Sequence, residues 1–326
     1  MWSGRRVLVT GAGGFIGSYL CERLVELGAS VRALAEYNSL GSWGWLDDSP
    51  RRGELEVVLG DVRDADSVVG ACAGVDTVFH LAALIAIPFS YEAPLAYLQT
   101  NAIGTANVLR AAQRAGCRLL VHTSTSEVYG TARYVPIDEA HPLQAQSPYA
   151  ASKIAADKLA ESFHLSFGVP VTTLRPFNTY GPRQSARAVI PTIVTQVLAG
   201  GSLALGNLTP TRDFTFVADT VEAFIRIADC KAAIGHVVNA GSGREISIGL
   251  LAERIETLLD RPATVERDPE RVRPEDSEVE RLCADTSLAR DLLDWTPAVE
   301  LDDGLRTTAT WIAENLERYR VGVYTV

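Results

Sequence analysis

A short β-branched run, Arg5-Arg6-Val7-Leu8-Val9-Thr10, passes directly into Gly11-Ala12-Gly13-Gly14-Phe15-Ile16-Gly17, and Ser18 to Leu27 then reads as a helix ending at Gly28. This junction of strand, glycine-rich turn and helix constrains the chain more than any other stretch. Glycines let the backbone turn tightly and approach a pyrophosphate. The anion then rests against the free N–H groups and positive dipole end of the helix. Gly11, Gly14, Phe15, Ile16 and Gly17 are the expected cradle for a dinucleotide. The spacing is GxxGxxG, not GxGxxG.

The next segments repeat the alternation. Ala29 to Leu34 and Leu55 to Leu59 read as strands, as does Asp76 to Ala83, which runs out into small residues. Glu92 to Gly116 carries one long helical pattern with Asn101 inside it, and Arg118 to Thr123 is a further strand. Strands alternating with helices predict an α/β fold, a parallel sheet wound on both faces. Ligands of such sheets bind at the carboxyl ends of the strands. Glu36 follows the second strand, where an acid accepts hydrogen bonds from ribose hydroxyls and repels a 2′-phosphate. No arginine is expected at this edge, which favours NAD over NADP; the other reading of Glu36 is a solvated loop residue. Asp61 could reach the adenine amino group. Leu81, Ala82 and Ala83 would allow close approach of the cofactor. Trp43 and Trp45, in a loop with Gly41 and Gly44, either cover a ligand or form the loop's own small core. His80, taken alone, reads as structural.

Composition narrows the partners. Among 326 residues, 21% are charged and the net charge is −10. A general nucleic-acid binder should be basic, so none is expected. Cys21, Cys72, Cys117, Cys230 and Cys283 are scattered with no CxxC pair, and read as small buried hydrophobes in a reducing compartment with no metal site. No stretch reaches the roughly 18 apolar residues needed to span a membrane. The N-terminus has no apolar leader pattern, so a soluble cytoplasmic protein is expected.

Chemistry enters at Ser147-Pro148-Tyr149-Ala150-Ala151-Ser152-Lys153. Good helix formers follow, so Tyr149 and Lys153 should project from one helix face about a turn apart. An ammonium beside a phenol favours phenolate, making Tyr149 a general base near neutral pH. Beyond the strand at Val169 to Leu174, the alternation stops at Arg175-Pro176. The expected domains are residues 1–174 for the dinucleotide, with 213–240 returning to it, and 175–326 mainly for substrate. Arg183, Arg187, Arg212 and Arg273 supply the local positive charge an acidic chain needs to hold a diphosphate.

Thr10-Gly11-x-x-Gly14-x-x-Gly17, Asp61-Val62, His80-Leu81-Ala82-Ala83, Ser124-Thr125-Ser126-Glu127-Val128-Tyr129-Gly130, Tyr149-x-x-x-Lys153, Arg175-Pro176-x-Asn178-x-Tyr180-Gly181-Pro182 and Arg212-Asp213-Phe214 occur in this order. The set, over nearly the whole chain, resembles the extended short-chain dehydrogenase/reductase family acting on nucleotide sugars. The resemblance implies a Rossmann domain with a smaller C-terminal α/β substrate domain, NAD, and a nucleotide-diphosphate sugar. Val62 joins the implied cofactor residues and Asn178 the substrate residues. It also implies that Tyr149, helped by Lys153 and Thr125, removes the sugar 4-hydroxyl proton while hydride passes from C4 to the nicotinamide. The 4-keto sugar is then epimerised, decarboxylated or dehydrated.

Glu127 points to dehydration, which needs a base at C5 and an acid near O6. Family epimerases carry a small non-acidic residue there. Thr125-Ser126-Glu127 is similar to the GDP-mannose 4,6-dehydratases, whereas glucose-type dehydratases carry Thr-Asp-Glu. The O6 proton then falls to Ser126, Glu127 or water. UDP-glucuronate decarboxylases also carry Ser-Glu. Gly206-Asn207-Leu208-x-x-x-Arg212-Asp213 and Arg273-Pro274 with Ser277-Glu278-Val279-Glu280 resemble the GDP-mannose group. Tyr37 to Leu46 and the terminal Val321 to Val326 resemble dehydratases of the legionaminic-acid pathway, a group that often has arginine where Glu36 stands. The expectation is a 4,6-dehydratase, with a GDP sugar before a UDP sugar. A 4-epimerase or UDP-glucuronate decarboxylase is the alternative, and a non-catalytic NAD-binding sensor the remote one. Family members pair through two long helices each, implying a homodimer with a four-helix bundle built from Glu92–Gly116 and Ser147–Phe167.

Overall fold

The computed structural model describes residues 2–324. The chain opens with β1 (Arg6–Thr10), α1 (Phe15–Glu26), β2 (Ser30–Glu36), β3 (Leu55–Gly60), α2 (Ala65–Cys72) and β4 (Thr77–His80). It continues with α3 (Ile87–Glu92), α4 (Pro94–Tyr97), a π-helical turn (Leu98–Ile103), α5 (Gly104–Ala115), β5 (Leu119–Thr123), α6 (Pro148–Phe167) and β6 (Val171–Pro176). Then come β7 (Asn178–Tyr180), α7 (Val189–Ala199), β8 (Ser202–Leu205), β9 (Thr211–Phe216), α8 (Val217–Asp229), β10 (Val237–Ala240), β11 (Glu245–Ser247), α9 (Ile248–Leu259), β12 (Thr264–Arg267), α10 (Ser287–Leu293) and α11 (Leu301–Glu314).

Seven strands form one sheet in the order β10-β6-β5-β4-β1-β2-β3. Every pairing in it is parallel. The strand sequences explain this: Val7, Leu8 and Val9 are fully buried, as central strands covered on both faces must be. One apolar layer packs α1 and α8 against the sheet through Leu20, Leu24, Phe79 and Phe224. The other packs α2 and α5 through Val68, Val108 and Leu109. β7, β9 and β11 form a second small sheet, β8 and β12 a third. Their core holds Tyr180, Ile193, Leu251 and Leu305.

The expected helical run over residues 92–116 is present from Pro94 to Ala115, with α4 and α5 joined without a gap by the π turn; its first two residues fall outside it, since α3 ends at Glu92 and Pro94 starts α4. The π turn carries Asn101 into the interior, where it is fully buried. All five cysteines are free, and all but Cys230 are buried. Among the described residues no three His, Cys, Asp or Glu side chains group as metal ligands, and no helix is long and apolar enough to cross a membrane.

Candidate active site

The Ser147 hydroxyl accepts the Ala150 N–H at 3.1 Å, and Pro148 occupies the first turn, so α6 starts where its sequence dictates. Tyr149, Lys153 and Asp157 follow at four-residue intervals, and all three are buried. Asn101 binds both main-chain groups of Leu84, at 2.8 and 2.9 Å, and donates to the Ser152 hydroxyl at 2.9 Å. The loop beyond β4 is thereby fixed to α6.

Lys153 donates to the Thr123 carbonyl at 2.6 Å. Burial lowers its ammonium to about 8, with Asp157 opposing the fall. Burial raises the Tyr149 phenol above its ordinary value; hydrogen bonding to Thr125 opposes this and the Glu127 carboxylate adds to it. The sequence expectation that Lys153 brings the phenol toward neutrality is therefore corrected. Desolvation of the phenol dominates, and the lysine's hydrogen bond goes to the main chain. Tyr149 is a protonated phenol in the structure as it stands and needs added positive charge to ionise near neutral pH.

β5 delivers Ser124 and Thr125 to a 3₁₀ turn at Ser126–Tyr129, where Thr125 accepts the Glu127 N–H at 3.3 Å. Ser126 and Glu127 are buried beside Tyr149. Arg273 lies 4.0 Å from Glu127 and 3.7 Å from Glu278, and its Nη1, though buried, has no hydrogen-bond partner. Glu278 also accepts from Asn207 at 3.1 Å and pairs with Arg212 at 3.5 Å. Asn178 Oδ1 is likewise buried without a partner. Thus Thr125, Ser126, Glu127, Tyr149 and Lys153 come together, with Arg212 and Arg273 linked to them through Glu127 and Glu278.

Arg183 does not join them. It donates to Ser18 at 3.2 Å and Glu22 at 3.0 Å, and its guanidinium lies 4.4 Å from the Tyr19 ring centre. Its expected place as a substrate residue is replaced here by a clasp onto α1. Asp213, beside Arg212, accepts the N–H groups of Ser242, Gly243 and Ala284, so it fastens three chain segments together.

At the opposite side of the sheet's carboxyl edge lies the glycine turn. A side chain at Gly11, whose φ is +70°, would meet the Ala82 backbone nitrogen at 2.7 Å. One at Gly17 would collide with the Gly11 carbonyl oxygen. Gly14 caps α1 with no side-chain hydrogen bond, leaving the first-turn N–H groups around Phe15, Ile16 and Gly17 to a ligand. Glu36 is exposed at the end of β2. Asp61 binds the Arg63 guanidinium, with Nε at 2.8 Å, which pulls its carboxyl below the ordinary value. Arg63 also feels Glu36, so this edge does carry one arginine that sequence adjacency to β2 did not reveal. Val62 is buried, and Leu81 and Ala82 donate their N–H groups to Thr10 at 3.1 Å. Ala83 follows in the same loop. An anion cradle, a free carboxylate at the second strand and small residues opposite fit a dinucleotide.

The tryptophan loop packs on the glycine turn and on α11: the Trp45 main-chain N–H donates to the Gly13 carbonyl at 3.0 Å, and the Trp45 ring packs edge-on against Trp311 of α11 at 5.4 Å. Trp43 lies under Arg52 at 4.5 Å. His80, as expected, is structural: burial, with His122 and Lys153 nearby, holds it neutral between Thr10 at 2.8 Å and Thr105 at 2.9 Å. At the terminal stretch, Tyr324 lies 4.7 Å from the Arg271 guanidinium, and residues 325 and 326 lie outside the described residues.

Residues 8–308 match the family model for GDP-mannose 4,6 dehydratase. The chain is 35% identical over 310 residues to a UDP-glucose 4-epimerase of Mycolicibacterium smegmatis, covering 93% of this chain and 97% of the relative. It is 32% identical to UDP-glucuronic acid decarboxylase 6 of Arabidopsis thaliana, covering 98% and 91%. Among solved structures, dTDP-glucose 4,6-dehydratase from Streptomyces venezuelae, with NAD bound, superposes with a TM-score of 0.89 at 30% identity, over 97% of this chain and 99% of that one.

Proposed function

The chain belongs to the extended short-chain dehydrogenase/reductase family of nucleotide-sugar epimerases and dehydratases, and from that premise we propose that it is an NAD-dependent nucleotide-sugar 4,6-dehydratase. One observation carries this reading: a carboxylate, Glu127, buried two residues beyond Thr125 and close enough to Tyr149 to act on its ionisation. Epimerisation at C4 needs no second base; elimination across C5–C6 does.

Gly11, Gly14, Phe15, Ile16 and Gly17 would hold the pyrophosphate, Glu36 the ribose, and Asp61, Val62, Leu81, Ala82 and Ala83 the rest of the cofactor. NAD held there would supply the hydride acceptor for C4 and the hydride donor for C6. Tyr149 would remove the 4-hydroxyl proton as the phenolate, which the positive charge of the bound nicotinamide together with the Lys153 ammonium would favour, with Thr125 orienting it. Glu127 takes the C5 proton and, with Ser126 next to it in sequence, hands a proton to the departing 6-hydroxyl, which leaves as water; after hydride returns to C6, C5 takes a proton from solvent and Tyr149 releases the one it took. Arg212, Arg273 and Asn178 receive the diphosphate and sugar. Arg273 Nη1 and Asn178 Oδ1, both buried without a hydrogen bond, support that assignment.

A homodimer is part of the proposal. Leu95, Leu98 and Ile103 on the first helical run and Leu165 and Phe167 on α6 are exposed apolar side chains that a partner's helices would cover. The reading is tested by Glu127→Gln, which should permit cofactor reduction and stop water loss. Unchanged water loss would sink it.

A further inference from the structure

We propose that Asp157 is a positioning residue: it ties α6 to the end of β5 and keeps Lys153 charged, so that Tyr149 stays in register with Thr125. This rests on the reading of Tyr149 and Lys153 as the proton-transfer pair.

Two consecutive residues of one chain are held by two side chains of one helix face. Lys153 donates to the Thr123 carbonyl at 2.6 Å, and Ser124 donates its hydroxyl to Asp157 at 2.7 Å. Thr125 comes next. The same carboxylate accepts from His122 Nε2 at 3.0 Å and Arg175 Nη2 at 2.8 Å. It therefore ties α6 to β5 and β6 at once.

Its charge state follows. Burial alone would raise the carboxyl, but His122, Arg175 and Ser124 hold it far below its ordinary value. Burial keeps His122 neutral, and its Nδ1 is buried without a partner, which places the ring proton on the nitrogen facing Asp157. Tyr149 and Asp157 stand one turn to either side of Lys153 on its own helix, and His80 on β4 and His122 on β5 feel its charge. The Asp157 carboxylate favours the ammonium against burial. A buried lysine deprived of its counter-charge releases its proton.

The chain has three lysines, Lys153, Lys158 and Lys231. Carbon-13 labelling at lysine Cε therefore lets Lys153 be titrated by NMR without turnover, with Lys153→Met giving the assignment. The wild type should titrate near pH 8. Asp157→Asn should move that midpoint down by about one pH unit or more. Asp157→Glu should recover most of the shift, and Ser124→Ala, which removes a hydrogen bond and no charge, should keep the wild-type midpoint. An unchanged midpoint in Asp157→Asn overturns the proposal. Should that variant not fold, the wild-type Asp157 carboxyl carbon decides: it should show an inflection at the Lys153 midpoint, and a flat trace overturns the proposal. If the midpoints move as stated while no nucleotide sugar is converted, the functional reading fails and this one stands.

Discussion

The Lys153 ammonium binds the Thr123 carbonyl at 2.6 Å, two residues before Thr125, whose side chain opposes the rise of the Tyr149 phenol. The proposed catalytic pair is thus coupled through the end of a central strand. Tyr149→Phe should lower turnover by about 100- to 10,000-fold, the usual worth of a positioned acid or base, with the nucleotide sugar still bound. Lys153→Met should lose turnover without losing the fold. Single-turnover cofactor reduction measures both; full reduction by Tyr149→Phe at the wild-type rate would remove its role.

Lys153 also sets a pH signature. The ammonium is present below about pH 8 and lost above it, so turnover should fall as pH rises through that value. Stability should move the other way. The folded chain releases this proton about where the ordinary lysine of the unfolded chain still holds it. Between about pH 8 and 10.4 the unfolded state binds more protons, and this group makes stability rise with pH. Lys153→Met should flatten that rise in urea melts taken across the window; an unaltered slope would refute the assignment.

Arg183 distinguishes a clasp from a ligand. Arg183→Ala removes the bonds to Ser18 and Glu22 and leaves the Glu22 carboxylate without its cation. It should cost about 1–3 kcal/mol of stability, read by thermal or denaturant unfolding, with KM for the nucleotide sugar changed less than threefold. A large rise in KM at unchanged stability would restore the substrate role expected from sequence.

Gly17→Ala places a methyl group against the Gly11 carbonyl oxygen, backbone that cannot yield cheaply. The turn must shift, so NAD affinity should weaken at least about tenfold, measured by titration of intrinsic fluorescence. Unweakened binding would place the pyrophosphate elsewhere.

Much of this was legible in sequence, for stated reasons. The strand–turn–helix junction and the Tyr149–Lys153 spacing follow from local pattern, and the parallel sheet follows from alternation. Asp157 was missed although it stands four residues beyond Lys153 on the same face; the four-residue spacing carried one interval further would have found it. α11 was missed as well, although Leu305, Thr308, Ala309 and Ile312 are buried at helical intervals. Arg183, the tryptophan loop and Arg63 depend on which distant element packs against them, and no local pattern encodes that. The Tyr149 ionisation depended on burial, which spacing does not report.

The central claim is tested most directly by mass spectrometry of products. The protein with NAD would be incubated with UDP- and GDP-linked glucose, mannose and N-acetylglucosamine, dTDP-glucose and UDP-glucuronate. The account predicts loss of one water from at least one hexose, abolished in Glu127→Gln. A product of unchanged mass with altered retention, or loss of carbon dioxide from the glucuronate, in place of water loss would contradict it.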